Sequence, residues 1–207
     1  MMKLYTSLTS PYGRIARIVR LEKGLADRIA LHPVKTRGAD NSYYAVNPSG
    51  RVPSLILNDG AVLEDSTLVC WFMDHLDGAP TLLPPEGMAG LEHRRIEATA
   101  RSMFDGLSLW EREYLYREAE IRSATIIAHE QARALRLADV FEKAVQGKVL
   151  SGPLNMAQIT LACALHGRMI DHPQGFRWQD GRPNLRAWVE RMGGYASIVE
   201  TLPPPRN

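Results

Sequence analysis

The chain has 207 residues, enough for one large domain or two modest ones, each able to bury a core. A hydrophobic fraction of 45% and a mean hydropathy of -0.22 are those of an ordinary globular protein. A formal charge of +2, with arginines dispersed along the chain, argues against a nucleic-acid partner.

No run approaches the ~18 apolar residues of a membrane span, and the N-terminus lacks a signal-type apolar core, so a cytoplasmic protein with no membrane partner is expected. Cys70 and Cys163 lie in apolar stretches without the close spacing of a metal site or redox pair, and read as buried thiols. The six histidines show no ligand spacing; His93, His129 and His166 read as surface or partly buried helix residues, and no metal is expected.

In chain order, Lys3–Ser7 reads as a short strand and Ser10–Lys23 as a helix with Ile15, Ile18, Val19 and Leu21 inward, closed by Gly24. Arg14, Arg17 and Arg20, three apart on that helix, read as a solvated or interface stripe. Ile29 and Leu31 alternate with polar neighbours and predict a second strand ending near Pro33, before a looser polar stretch from Lys35 to Val46.

Residues 47 to 66 carry the most information. An X-Pro bond is held cis at a cost of only about 0.5 to 1 kcal/mol, so Val52-Pro53 is a natural place for a bend. Such a bend turns the Val52 N–H and C=O outward, where an extended peptide pairs with them as an added antiparallel strand. Asn58-Asp59-Gly60 is a turn signal between Leu55-Ile56-Leu57 and Ala61-Val62-Leu63. Glu64-Asp65-Ser66 then precede an apolar run, and a helix from Ser66 to about Asp77 offers N–H groups and a positive dipole end to a carboxylate.

The first ~80 residues thus read as β-α-β, loop, β-β-α, a small α/β sheet domain. Gly78-Ala79-Pro80, Pro84-Pro85 and Gly87 break the pattern, which divides the chain into 1–79, a linker at 80–88 and 89–207. The last part follows the helical period over Leu91 to about Ala119, Arg122 to Val145, Asn155 to Ile170 and Asn184 to Met192, and reads as all-helical. Its third helix opens with Asn155 as cap, Gln158 placed to reach back and Leu154 to staple onto Ile159. Pro203-Pro204-Pro205 is expected to be a surface tail.

Ser10-Pro11-Tyr12, Asn47-Pro48-Ser49-Gly50-Arg51-Val52-Pro53, and an acidic residue followed by Ser66, in this order and before a helical half, resemble the cytosolic glutathione S-transferases of bacterial, serine type. The resemblance covers nearly the whole chain and includes Asp105-Gly106 and the run from Arg182 to Trp188. One departure is that the capping box, usually Ser or Thr with Asp, is here the uncharged Asn155 and Gln158.

The resemblance implies a thioredoxin-like N-terminal domain plus an all-α C-terminal domain, with glutathione as co-substrate. In this sequence it implies that Val52, held by Pro53, pairs with the cysteinyl part of glutathione; Asp65 takes the γ-glutamyl ammonium and Ser66 the neighbouring carboxylate. Arg51 and Lys35 are placed to meet the glycyl carboxylate or backbone. Relatives differ in whether the active hydroxyl stands one or two residues before the proline, which leaves Ser10 and Thr9 as catalytic candidates, with Ser10 preferred. Tyr5 and Tyr12 are outside candidates.

The implied reaction is attack of the glutathione thiolate on an electrophilic carbon. Lowering a thiol pKa from about 8.5 to about 6.5 requires roughly 2.7 kcal/mol. A hydrogen bond to a charged acceptor supplies about 1.5 to 3 kcal/mol, and a helix N-terminus about 0.3 to 2 kcal/mol. A hydroxyl at the start of the first helix therefore suffices without a general base.

The small hydrophobic electrophile is expected between the domains over Leu8, with Met103, Phe104, Leu107 and Trp110 as an apolar wall, although such helical spacing more often marks core. Family resemblance further implies a homodimer acting in detoxification. Competing readings are a glutathione-dependent isomerase, weakened by the absence of a Ser-Ser-Cys run, or a peroxidase using the same pocket, and a non-catalytic glutathione-binding protein, whose damaged pocket is not seen in Val52, Pro53, Asp65 and Ser66. Serine in place of cysteine at position 10 disfavours disulfide chemistry.

Overall fold

The computed structural model of the chain describes residues 1–38, 41–167 and 175–204. Strand β1 (Met2–Thr6) leads through a turn into α1 (Pro11–Glu22), which Ser10 caps and Pro11 begins. Its chain returns as β2 (Ile29–Pro33), parallel to β1 with Met2 opposite Ile29 and Tyr5 opposite His32. After a 3₁₀ turn at Ser42–Ala45, β3 (Ser54–Ile56) lies antiparallel to β1, and β4 (Val62–Glu64) antiparallel to β3. The sheet order is β2-β1-β3-β4, and α2 (Ser66–His75) follows directly from its edge strand.

The pleat of β1 sends Met2, Leu4 and Thr6 to the buried face. Leu4 and Leu55 of the sheet, Ile15, Ile18 and Val19 of α1, and Val69 and Met73 of α2 are all fully buried, and α1 packs against α2. Leu21, expected inward, is only partly covered. The larger departure concerns the arginines: Arg14 and Arg17 are not a solvated stripe but are 3% and 7% exposed, and Arg20 donates to the carbonyls of Ile29 and Ala26. Burial lowers the Arg20 pKa from its ordinary value, against the opposing charge of Asp27.

The first unit extends past the expected boundary at residue 79 to Leu83, because the buried Asp74 carboxylate accepts the N–H groups of Thr81, Leu82 and Leu83 and pairs with Lys23 at 3.3 Å. The described residues from Ala196 onward belong to this unit too, through α1, rather than to the helical one.

Among its described residues the second unit has helices and no strand: α3 (Leu91–Leu115), α4 (Ala124–Ala144), α5 (Lys148–Ser151), α6 (Met156–Leu165) and α7 (Pro183–Met192). A short α8 (Ala196–Glu200) follows in the first unit. Every residue of α6 is buried, as an all-round apolar helix at the centre of a bundle must be, with α3 packed against it. This helix ends at Leu165, with His166 extended, short of the expected end at Ile170, which lies outside the described residues, as does Pro205.

Asn155 caps α6 as expected, its Oδ1 accepting the Gln158 N–H at 3.1 Å. Gln158 does not reach back: its Nε2 donates to the Val149 and Gly152 carbonyls, so the cap is one-sided. Cys70 and Cys163 are both buried. No described helix is long and apolar enough to cross a membrane.

Candidate active site

The register of the sheet gathers most of the expected site residues. His32, Tyr5, Ser54 and Glu64 form one row across β2, β1, β3 and β4. At that end β1 leaves toward Thr9 and Ser10, β2 leaves toward Lys35, β3 enters from Arg51-Val52-Pro53, and β4 leaves into Asp65 and Ser66. A row of four paired residues, in which Tyr5 lies opposite Ser54, thus brings segments far apart in sequence to one edge.

At the exit of β1, Ser7 to Ser10 form a turn closed by the Ser10 N–H on the Ser7 carbonyl at 3.0 Å. Ser10 Oγ accepts the Gly13 N–H at 3.1 Å, which uses a lone pair and leaves the hydroxyl proton to be donated elsewhere. Thr9 is exposed, and its hydroxyl is paired with Ser7 Oγ at 3.0 Å. Gly13 is required here, since a Cβ would collide with Thr6 Oγ1 on β1; the close approach holds the start of α1 against the strand.

The peptide between Val52 and Pro53 is cis, and strand pairing begins only at Ser54. The preceding Arg51 carbonyl is clasped by two donors, Tyr43 Oη at 2.6 Å and Asn47 Nδ2 at 3.1 Å. Tyr43 has one proton; since it goes to Arg51, Ser54 donates to the phenol oxygen at 2.7 Å. Burial pushes the Tyr43 phenol above its ordinary pKa, partly offset by its bonds to Ser54 and Asn47, so it stays a neutral donor. Tyr5 stacks between Tyr43 and His32, at centroid distances of 5.6 and 5.2 Å, and so belongs to this support rather than to the turn at Ser10. Neither Tyr43 nor this use of Asn47 was read from sequence; the signal was an aromatic residue one helical turn before Asn47.

Asp65 has φ +80° and ψ 135°, the one non-glycine residue with positive φ among those described. A side chain held there costs of order 1 to 3 kcal/mol, and such residues cluster at binding sites. Its Oδ1 accepts the Thr67 N–H at 2.7 Å, capping α2, while the carboxylate is exposed. Ser66 follows, buried at the helix start. Arg51 and Lys35 are exposed.

The expected apolar wall is arranged differently. Met103, Phe104, Leu107 and Trp110 are each 1% exposed or less and are core residues of the helical unit, with Trp110 edge-on to Phe176 at 5.9 Å. Their helical spacing reflects packing of α3 within the bundle; Leu8 alone of the five has an exposed side chain. Among the described residues no group of three or more His, Cys, Asp or Glu side chains is arranged to hold a metal.

Two family models match the chain: the glutathione S-transferase N-terminal domain over residues 9–76 and the C-terminal domain over residues 124–191. A GST-like protein of Escherichia coli, YibF, is 32% identical over 205 residues, which span 98% of this chain and 99% of that one. This chain belongs to the glutathione S-transferase family. A family member from Pseudomonas fluorescens Pf-5, solved with bound glutathione, superposes with a TM-score of 0.88 at 27% identity over 99% of this chain and all of that one. The same family member with bound S-(propanoic acid)-glutathione gives 0.85 at 26%, covering all of both chains. A glutathione S-transferase from Methylobacillus flagellatus with glutathione bound gives 0.87 at 26%, over 99% of this chain and all of that one. The small mixed sheet followed by a helical unit is therefore the glutathione S-transferase fold, as the sequence motifs imply.

Proposed function

We propose that this protein is a glutathione transferase that binds glutathione at the common end of its four strands, holds the thiol ionised with the Ser10 hydroxyl, and conjugates it to small apolar electrophiles. The observation that carries the reading is the register row, at whose end lie a hydroxyl-capped helix start, the cis Val52-Pro53 peptide and the positive-φ Asp65. Solved relatives that hold glutathione or a thioether of it support the ligand.

In this reading Val52 pairs with the cysteinyl backbone, Asp65 takes the γ-glutamyl ammonium, and Ser66 takes the adjacent carboxylate at the start of α2. Lys35 and Arg51 meet the glycyl end as exposed cations. Ser10 is preferred to Thr9 because it is the N-cap of α1, its oxygen accepting the Gly13 N–H at the positive end of the helix, whereas Thr9 is exposed outside the helix and paired with Ser7. The thiolate then attacks the electrophilic carbon beside Leu8; for an aromatic halide, the S–C bond forms and halide departs with the carbon–halogen electron pair. We also read the protein as a cytoplasmic homodimer acting in detoxification. Exposed Val62, Leu68 and Trp71, on β4 and α2, supply an apolar face for a second copy.

Retention on immobilised glutathione, followed by turnover of an aromatic halide, tests this. Wild type is expected to be retained and to turn over, Ser10→Ala to be retained with turnover lost, and Thr9→Ala to keep both. Full turnover in Ser10→Ala with loss in Thr9→Ala would transfer the role to Thr9. Retention without turnover across a panel of electrophiles would make the protein a glutathione-binding one.

A further inference from the structure

Arg17 lies on the second turn of α1, and one of its guanidinium nitrogens donates to two backbone carbonyls at once. These are Leu8, 3.2 Å away in the turn that carries Thr9 and Ser10, and Thr201, 3.0 Å away beyond α8. The two ends of the turn are held by the Ser10 N–H on the Ser7 carbonyl and by the start of α1, whereas Leu8 and Thr9 between them are less secured. Leu8 and Thr9 are exposed, so apolar burial does not fix them, and the remaining bonds described to either are the two local ones that link the Thr9 hydroxyl and N–H to Ser7 Oγ. Among the described residues, Arg17 makes the one bond to Leu8 or Thr9 that comes from outside the turn.

The far end of the bridge is firm. Thr201 is buried, and its hydroxyl donates to the Ser197 carbonyl at 2.7 Å and accepts from Arg14 Nε at 3.3 Å. Arg14 also donates to the Ile198 carbonyl at 2.8 Å, so the end of α8 is tied to two successive turns of α1. Carbonyls at a helix C-terminus have no intrahelical partner and are natural acceptors for arginine.

We propose that Arg17 is a positioning residue for the thiol site: by bridging the Leu8 and Thr201 carbonyls it fixes the turn from Ser7 to Ser10, and so the direction in which the Ser10 and Thr9 hydroxyls point. This rests on the reading that one of those hydroxyls stabilises the thiolate. A hydrogen bond to sulfur lowers the thiol pKa only while the donor is aimed at it, and a loosened turn spends part of its time misaligned. The segment from Ser197 to Thr201 thereby becomes part of the active-site support, although it lies at the opposite end of the chain.

The test titrates the thiol of bound glutathione by its ultraviolet absorbance in wild type, Arg17→Met and Arg17→Lys, alongside steady-state turnover of an aromatic halide. Lysine keeps the charge but ends one bond short of the bridging nitrogen, so it separates the bridge from the field of the cation. Both variants are expected to raise the bound-thiol pKa by about one unit, roughly a tenfold loss of thiolate below the pKa, with the pH profile of kcat/KM displaced equally. KM for glutathione is expected to stay within about twofold, since Val52 and Asp65 are untouched. A wild-type thiol pKa in Arg17→Lys overturns the proposal, including when Arg17→Met does not fold, because the lysine variant carries the test alone. If Ser10→Ala and Thr9→Ala both leave the thiol pKa unchanged, the underlying reading fails and the Arg17 assignment with it. If either raises it while Arg17→Lys does not, the Arg17 assignment alone has failed.

Discussion

At the start of α1, Ser10 Oγ accepts the Gly13 N–H at 3.1 Å; at the start of α6, Asn155 Oδ1 accepts the Gln158 N–H at the same 3.1 Å. The two caps are locally alike, yet their surroundings differ. Asn155 is buried, and its Nδ2 is committed to the Val149 and Pro153 carbonyls, so no ligand reaches it and no donor remains. Ser10 is half-buried beside an exposed turn and keeps a proton to give. Capping accounts for both residues as structure. What separates a site from a scaffold is the hydrogen-bonding capacity left over once the helix has been started.

The sharpest test of that contrast is Asn155→Ala. It removes a cap worth about 1 kcal/mol and withdraws a donor from two carbonyls at about 1 kcal/mol each, for an expected loss of about 2 to 3 kcal/mol in denaturant unfolding. In a chain of this size that is roughly 5 to 10 °C in Tm. Turnover per folded molecule should not change; a variant that stays stable but loses turnover would reverse the contrast.

Ser10→Ala should do the opposite. Its stability loss is that of one half-buried cap, about 1 kcal/mol, while turnover at slightly acid pH should fall about 10- to 100-fold as the thiol pKa rises by one to two units. Equal losses of stability and turnover would reduce Ser10 to a cap.

Asp65 sharpens the comparison from a third helix start. Asp65→Gly relieves the positive φ, worth of order 1 kcal/mol, and glycine as a cap costs only a few tenths of a kcal/mol. Stability by denaturant unfolding should be unchanged or slightly higher. Glutathione affinity by calorimetry should fall about 10- to 100-fold, because a charged hydrogen bond worth about 1.5 to 3 kcal/mol is lost. A variant that binds glutathione normally would leave the strain without a function.

Much of this architecture was legible because it is local. Alternation in β1 and β2, the Asn58-Asp59-Gly60 turn, the Ser10-Pro11 and Asn155 caps and the Glu64-Asp65-Ser66 junction all depend on neighbours a few residues away. The features that escaped are carried by long separations or short elements. Arg14 and Arg17 read as a surface stripe because their carbonyl partners lie 184 positions downstream. Asp74 was not singled out in the sequence, because its partners are the backbone N–H groups of residues 81–83. The four residues of α5 and five of α8 are too short to show a period. At the site, the bend at Val52-Pro53 and the helix start at Ser66 were readable from the motif, but the Tyr43 hydroxyl that clasps Arg51 has no sequence signature beyond an aromatic residue in the right turn.

The start of α7 supplies the smallest and most pH-sensitive case, because its cap comes from another helix. Arg182 at the N-cap makes no side-chain capping bond; instead Glu142 on α4 accepts the N–H groups of Asn184 and Leu185 at 3.1 and 2.8 Å and the Asn184 amide at 2.7 Å. Desolvation opposes ionisation of Glu142, but these bonds outweigh it and hold the carboxyl below its ordinary pKa. A depressed folded-state pKa contributes stability that is fully present above the unfolded value and is lost as pH falls through the folded one. Wild type should therefore lose stability through the acid range below about pH 4.5, the ordinary glutamate region, and Glu142→Gln should show a shallower acid limb with little change at neutral pH. Parallel acid limbs in the two proteins would mean that α7 starts as well without a charge as with one, which is how α6 starts on the neutral Asn155.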